Sequence, residues 1–284
     1  MTLADVQSER DTRQIALDEV GVNALRYPIS VFDAKRGSQS TVATVALSVA
    51  LPPEDKGSHL SRFVEILDSC AGEISPQSIP RILTLLQRRL GSINSRVEML
   101  FPFFAQRSAP ITGGEALLDY TCGITGWARC ERIGLSIKVC VPVTSVCPCS
   151  KAISDYGAHN QRGTITIEAA LRLDPDTKIS PIWMEDLIKV AEAAGSSPVF
   201  PLLKRADERH VTMQAFDNPV FVEDVVRNVA SRLRGDARIA WFRVHALNHE
   251  SIHNHNAFAR IEWSRPAGAA TYLEARQNDA ASGD

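Results

Sequence analysis

The stretch RIGLSIKVCVPVTSVCPCSKAISDYGAHNQRGTITIEAALRL, residues 132–173, places a chemically rich loop between two patterned segments. Apolar residues alternate with others at positions 133–143 and again at positions 165–173. A period of two is typical of half-buried strands. The stretch therefore predicts two neighbouring strands, and we interpret the segment that joins them, within residues 141–163, as an active-site loop.

The loop carries side chains that a simple connector does not need. They are Cys147, Cys149, Lys151, Asp155 and His159. Thiolate and imidazole are ligands suited to a transition metal such as zinc. The alternative is a pair of unreactive thiols and a surface histidine, and the loop alone leaves both interpretations open.

Composition excludes several classes of function. The chain has 284 residues, 31 basic and 33 acidic side chains and a formal charge of −2, which gives no support to nucleic-acid or membrane-surface binding. No signal peptide or membrane-spanning run is seen, so a cytoplasmic location is expected. Six cysteines without regular spacing fit a reducing compartment better than a disulfide framework.

The order of predicted elements repeats as hairpin, two helices, hairpin. We predict a flexible segment at 1–20, a first module at 21–128, a second module at 129–266 that carries most catalytic residues, and a tail at 267–284. Polar caps followed by proline, and glycines at the ends, bound three of the helices. These predicted bounds are Ser75 and Pro76 to Gly91, Ser180 and Pro181 to Gly195, and Asn218 and Pro219 to Gly235.

Antiparallel hairpins with paired helices between them predict an α+β fold, with the helices stacked on one face of a sheet. Two such modules leave exposed sheet edges, which proteins usually cover or pair. Closure of the sheet into a barrel by a second copy is therefore expected. The alternative is a monomer with two loosely related α+β lobes.

A second cluster lies in LNHESIHNHNAF, residues 247–258, at the turn between the last two strands. It contains His249, Glu250, His253 and His255. Carboxylate and imidazole are what a divalent metal takes up beside a thiolate. A solvated polar turn is the alternative, although loops at one end of a sheet are neighbours in space.

Two further groups have strong structural explanations. Glu223 stands near a predicted helix start, where the helix dipole alone would favour a carboxylate. The segment KGSHLSRF, residues 56–63, offers Lys56, His59, Ser61 and Arg62 at another helix start. Such a start can hold a phosphate, but it is more often a solvated terminus.

Together, the runs PVTSVCPCSKAISDYGAHNQRG, KGSHLSRF, PLLKRADERHV, NPVFVEDVVRNV and NHESIHNHNAF resemble the type IB GTP cyclohydrolases. The resemblance covers nearly the whole chain, with the segments in the family's order. It implies the tunnelling fold, built from tandem modules of the kind predicted above, and a homotetramer. It also implies a metal-dependent hydrolase that acts on a cyclic amidine C–N bond. The family converts GTP to 7,8-dihydroneopterin triphosphate and formate at the start of the folate pathway.

The resemblance also assigns roles to residues. It makes Cys147, His159, Glu250 and His253 metal-site candidates, with Glu208 a further one; the metal could be zinc, manganese or iron. Cys147 and His159 become the catalytic candidates, because water must attack carbon 8 of guanine while ring nitrogens are protonated. For the substrate, Glu223 becomes the guanine anchor, and His59, Ser61 and Arg62, together with Lys56, Lys204 and Arg205, are triphosphate candidates.

Two other functions remain open at this point. A nitrile reductase of the queuosine pathway has the same fold and would use Cys147 as a nucleophile, without a metal. Where that family carries an ESK-type motif, this chain has Glu250-Ser251-Ile252-His253. A non-catalytic pterin- or purine-binding protein with a structural metal is the other possibility, and a metal closed by four protein ligands would distinguish it.

Overall fold

The computed structural model describes residues 5–70, 73–74, 78–130, 132–171 and 182–265. Ten strands and six α-helices lie within these ranges. The strands are β1 (Leu17–Asp33), β2 (Gly37–Leu51), β3 (Glu73–Ile74), β4 (Asn94–Ser108), β5 (Glu115–Arg129), β6 (Arg132–Val146), β7 (Asn160–Leu171), β8 (Ser197–Pro198), β9 (Ile239–Asn248) and β10 (Ala257–Ser264). The helices are α1 (Ser61–Ser69), α2 (Ile79–Leu90), α3 (Pro148–Ile153), α4 (Met184–Glu192), α5 (Arg205–Asp217) and α6 (Val222–Gly235).

Long antiparallel hairpins make up most of the sheet. Its hydrogen-bonded order is β10, β9, β7, β6, β5, β4, β2, β1, β3, and β8 pairs with β6. The alternation read from the sequence is confirmed, because Val139, Val141 and Val143 of β6 and Ile165 and Ile167 of β7 are buried. The α+β class with a large antiparallel sheet, predicted from the element pattern, is what the chain adopts.

The described residues divide into two compact units. The first is formed by those within 5–101 and 123–136, and the second by those within 102–122 and 137–265. These units are defined by contacts, whereas the predicted modules were defined by element order, so the module boundaries stay a prediction. Residues 1–4 of the predicted N-terminal segment and the whole of the predicted tail, 267–284, lie outside the described residues. Among the described residues, no helix combines the length and apolar character needed to span a membrane.

In the first unit, α2 buries the stripe that its sequence predicted. Ile79, Leu83 and Leu86 are fully buried, and Gly91 ends the helix with a φ of 67°. Glycine adopts this left-handed conformation without a steric penalty, as expected for a helix stop. The predicted cap, Ser75 and Pro76, lies outside the described residues, and the helix begins at Ile79.

In the second unit, the prediction of two helices is wrong, because two more are present: the short α3 between β6 and β7, and α5 in the long connection before α6. Only Asp207 and Ala215 of α5 are buried, so the helix has no apolar stripe to reveal it. Asn218 does not open α6 as predicted. It ends α5, and its amide donates a 3.0 Å hydrogen bond to the carbonyl of Gly195. Ser180 and Pro181 lie outside the described residues, and α4 begins at Met184.

Candidate active site

The β6–β7 loop is a tight structure held together by main-chain contacts. The N–H of Cys147 donates a 3.1 Å hydrogen bond to the carbonyl of His159. Between these two residues the chain forms the short helix α3, with Cys147 as its N-cap and Pro148 in its first turn. Proline suits this position because its missing N–H would have no helical partner there. The two catalytic candidates are therefore joined at the base of one loop.

Ser150 links Cys147 and His159 a second time. Its N–H points at the Sγ atom of Cys147 at 3.5 Å, and its hydroxyl donates to the Cys147 carbonyl at 3.3 Å. The same hydroxyl accepts a 3.1 Å hydrogen bond from the N–H of His159. Ser150 was not predicted from the sequence, because serine is a frequent loop residue with no signal of its own.

The ring of His159 faces a buried polar pair. Its Nδ1 atom lies 2.9 Å from Oε1 of Gln161, and the Gln161 amide donates a 2.8 Å hydrogen bond to the hydroxyl of Ser145. Gln161 is 8% exposed and Ser145 is fully buried. Buried polar groups are usually paired in this way. Neither residue was singled out from the sequence.

The turn between β9 and β10 lies beside this loop. Gly163 of β7 pairs with Asn248 of β9, and the N–H of His249 donates a 2.9 Å hydrogen bond to the carbonyl of Arg162. Glu250 and His253 follow within the turn, and His253 is exposed. The cysteine loop and the histidine turn therefore lie side by side at one end of the strands of the sheet, as the sequence predicted.

The structure does not bring the predicted metal ligands into a single set. Among the described residues, no three side chains of the metal-ligating types come close enough to hold an ion. In the turn, the rings of His253 and His255 stack on each other at 4.9 Å. The donors still fit a divalent transition metal chemically, since thiolate, imidazole and carboxylate are its usual ligands.

Glu208 lies on the exposed side of α5, whereas its neighbour Asp207 is fully buried. The carboxylate of Asp207 accepts hydrogen bonds from the N–H groups of Ile111, Thr112 and Lys204 and from the Thr112 hydroxyl, at 2.6–2.9 Å. Burial by itself would raise the pKa of Asp207, but these hydrogen bonds outweigh it and lower the pKa. Asp207 therefore fixes the start of α5 to the β4–β5 turn.

Glu223 is the second residue of α6 and is exposed. Its neighbour Asp224 accepts hydrogen bonds from the N–H of Phe221 and from Arg227, each at 3.3 Å. Within the described part of the chain, no hydrogen bond or ion pair engages the Glu223 carboxylate. Asp224 thus satisfies the helix start, which leaves Glu223 available for a ligand.

The triphosphate candidates Lys56, His59, Ser61 and Arg62 belong to the first unit, not to the unit that contains Cys147. Lys56 pairs with Glu9, and Nε2 of His59 lies 3.2 Å from the hydroxyl of Ser8. The segment that precedes β1 therefore contacts the basic residues at the start of α1. Lys204 and Arg205, at the start of α5, lie in the second unit and are exposed.

Comparison with known proteins gives a consistent result. The family described as type I GTP cyclohydrolase folE2 matches residues 3–259. GTP cyclohydrolase FolE2 1 of Dechloromonas aromatica is 49% identical over 260 residues, covering 91% of this chain and 95% of its own. GTP cyclohydrolase FolE2 of Nitrosomonas eutropha is 50% identical over 261 residues, covering 92% and 95%.

Solved structures identify the fold. A hyper-thermostable mutant of AgUricase has a TM-score of 0.54 at 7% identity and covers 90% of this chain and 94% of its own. Urate oxidase from Bacillus subtilis has a TM-score of 0.52 at 9% identity, with coverage of 87% and 98%. At such identities the likeness concerns the fold alone, and it confirms the predicted tunnelling fold.

Proposed function

The chain belongs to the family of type I GTP cyclohydrolases described as folE2, and on that premise we propose that it converts GTP and water to 7,8-dihydroneopterin triphosphate and formate. This reaction opens the folate pathway. The IB subdivision, which the sequence motifs suggested, belongs to the same proposal, as does a cytoplasmic location.

The observation that carries the proposal is the position of the catalytic candidates. Cys147 and His159 are joined at the base of the β6–β7 loop, and the turn that carries Glu250 and His253 lies beside that loop. Thiol, imidazole and carboxylate groups at one end of neighbouring strands are the donors that a hydrolytic metal centre requires.

Cys147, His159, Glu250 and His253 are the proposed ligands of a divalent transition metal, with Glu208 a further candidate. When bound, such an ion lowers the pKa of water and so supplies a nucleophile at neutral pH. His159 is proposed to move a proton as a ring nitrogen of guanine leaves, since an imidazole nitrogen can either donate or accept a proton. Zinc, manganese and iron all remain candidates for the ion.

Glu223 is proposed to select guanine. Its carboxylate would accept hydrogen bonds from the exocyclic amino group and the neighbouring ring N–H, a pairing that adenine does not offer. Its exposure and lack of a described partner support this role. The triphosphate candidates His59, Ser61 and Arg62, with Lys56, Lys204 and Arg205, stay proposals of the same kind.

The proposal is tested by incubating the chain with GTP and either zinc or manganese. The expected products are formate and, after oxidation, fluorescent neopterin. ATP under the same conditions is the matched control and should give neither product. Failure to release formate from GTP with any of zinc, manganese or iron would contradict the proposed function.

A further inference from the structure

We infer that Gln161 is a positioning residue that holds the imidazole of His159 with its proton on Nδ1, which leaves Nε2 free to accept a proton or a ligand. The inference rests on the proposed function for the role of His159. The state of the ring itself can be measured without any turnover.

The hydrogen bonds of Gln161 lead to this assignment. Its amide nitrogen donates to Ser145 at 2.8 Å, so its carbonyl oxygen is the atom that faces Nδ1 of His159 at 2.9 Å. A carbonyl oxygen only accepts hydrogen bonds. In this orientation of the Gln161 amide, Nδ1 is the donor, and in a neutral imidazole the other nitrogen, Nε2, is then the acceptor.

The strand register explains why these residues meet. Cys147 and His159 are joined by a main-chain hydrogen bond at the open end of the β6–β7 pair. One step of two residues along each antiparallel strand reaches Ser145 and Gln161, which therefore lie opposite each other and on the same face as the first pair. The catalytic candidates and their supporting residues thus form two consecutive cross-strand pairs.

Burial makes the arrangement rigid. Gln161 is 8% exposed and Ser145 is fully buried, so water competes poorly for their hydrogen bonds. The main chain of His159 is fixed separately, because its N–H donates to the hydroxyl of Ser150 at 3.1 Å and its carbonyl accepts from Cys147. Because the loop fixes the backbone of His159, the hydrogen bond to Gln161 is left to fix the orientation of its imidazole ring.

A change at Gln161 should therefore act through His159. Partners of this kind, which orient a functional imidazole, typically change activity or metal affinity by about ten- to hundredfold when removed. A purely structural role for Gln161 would lower stability but would leave the tautomer of His159 unchanged.

The experiment uses the full chain labelled with ¹⁵N in its seven histidines, and records two-bond ¹H–¹⁵N correlations at a pH of about 8, where an ordinary imidazole is neutral. The His159→Asn variant assigns the signal. Gln161→Met removes the acceptor at nearly constant size, and Gln161→Glu keeps an oxygen acceptor. Thr144→Val is the matched control, since it removes a 3.1 Å hydrogen bond to the carbonyl of Ser197 from a residue that is next to Ser145 and faces the other side of β6.

The wild type, Thr144→Val and Gln161→Glu should all show a proton on Nδ1 of His159. Gln161→Met should lose this preference, and its kcat for GTP should fall by about ten- to hundredfold with a smaller change in KM. A wild-type ring protonated on Nε2 alone, or an unchanged tautomer in Gln161→Met, would overturn the inference. If Gln161→Met does not fold, the wild-type and Gln161→Glu spectra still show which ring nitrogen of His159 carries the proton. Absence of GTP turnover in the wild type would remove the proposed function but not the assignment of the ring.

Discussion

The N–H of Val220 donates a 3.1 Å hydrogen bond to the carbonyl of Val146. Val146 directly precedes Cys147, and Val220 lies three residues before Glu223. This single contact ties the start of α6 to the end of β6. It explains how Glu223, more than seventy positions after Cys147 in the sequence, comes to the end of the sheet that carries the cysteine loop.

Glu223→Gln should weaken GTP binding by about tenfold to a hundredfold. A hydrogen bond to a charged group contributes roughly 1.5–3 kcal/mol, and the amide would present one unwanted donor to guanine.

Asp224→Asn is the matched control, because Asp224 caps the helix start. This substitution should lower the stability of the chain by about 0.3–1 kcal/mol and leave GTP affinity unchanged. Calorimetric titration of both variants measures this. Near-normal GTP affinity in Glu223→Gln would contradict the guanine-binding role and leave Glu223 only a structural role at the helix start. Loss of bound metal in this variant would show that Glu223 is a metal ligand.

The two thiols of the loop should not be equivalent. Cys147 is the N-cap of α3, and its Sγ faces the N–H of Ser150, whereas Cys149 is exposed on the helix. Cys147→Ala should lose bound metal and lower kcat by at least about a hundredfold, whereas Cys149→Ala should keep both. Elemental analysis and steady-state kinetics give the ranking. The reverse order would identify Cys149 as the functional sulfur.

The sequence predicts those parts of the fold that have a regular apolar period. In α6, Val222, Val226, Val229 and Leu233 form the predicted stripe, and all are buried. By contrast, α5 was missed because a helix that buries almost no apolar residues leaves no periodic signal. Glu208, the predicted metal ligand on α5, lies next to the buried carboxylate of Asp207, and the sequence pattern alone does not show which of the two is buried.

The candidate site shows a similar division. Cys147, His159 and the histidine turn are chemically distinctive, so residue type alone directed attention to them. Gln161 and Ser145 are ordinary polar residues whose role depends on their being buried opposite each other, which requires the register of β6 against β7. The side-chain distances between the two loops likewise depend on tertiary geometry that no local pattern contains.

Asp207→Asn should destabilise the chain strongly, whereas Glu208→Gln should leave its stability unchanged. Asp207 accepts four hydrogen bonds as a buried carboxylate, and Glu208 is exposed. If Glu208 is a ligand, its variant should instead lower metal affinity. Thermal unfolding and metal titration of both variants distinguish the structural role of Asp207 from the ligand role of Glu208. Equal Tm values for Asp207→Asn and the wild type would contradict the structural role of Asp207.

The lowered pKa of Asp207 predicts that the stability of the chain depends on pH. The folded-state pKa of Asp207 is lowered below the ordinary value of about 3.9, so the unfolded chain binds the proton more readily. The stabilising effect of the Asp207 carboxylate is therefore complete when the pH is above the ordinary pKa, and it is lost as the pH falls through the lowered folded-state pKa. The Tm difference between wild type and Asp207→Asn should be constant above a pH of about 5 and should narrow below a pH of about 4. A difference that widens in acid would contradict this sign.

We expect the chain to form a homo-oligomer, and the family resemblance suggests a tetramer. Within the described residues, β10 has one partner, β9, and residues 17–29 of β1 have one partner, β2. Such edges present unpaired backbone groups that a second copy can satisfy. Light scattering at micromolar concentration should give a mass well above the 31.1 kDa of one chain. An active species with the mass of a single chain would disprove the expected assembly.

The most direct test of the account follows carbon 8 of GTP. With GTP labelled with ¹³C at that position, the chain loaded with a divalent metal should release one equivalent of [¹³C]formate per GTP consumed, observed by NMR. Chelation should abolish the signal, and zinc, manganese or iron should restore it. Release of unlabelled formate, no formate at all, or full activity in protein shown to be free of metal would contradict the claim that this chain is a metal-dependent GTP cyclohydrolase.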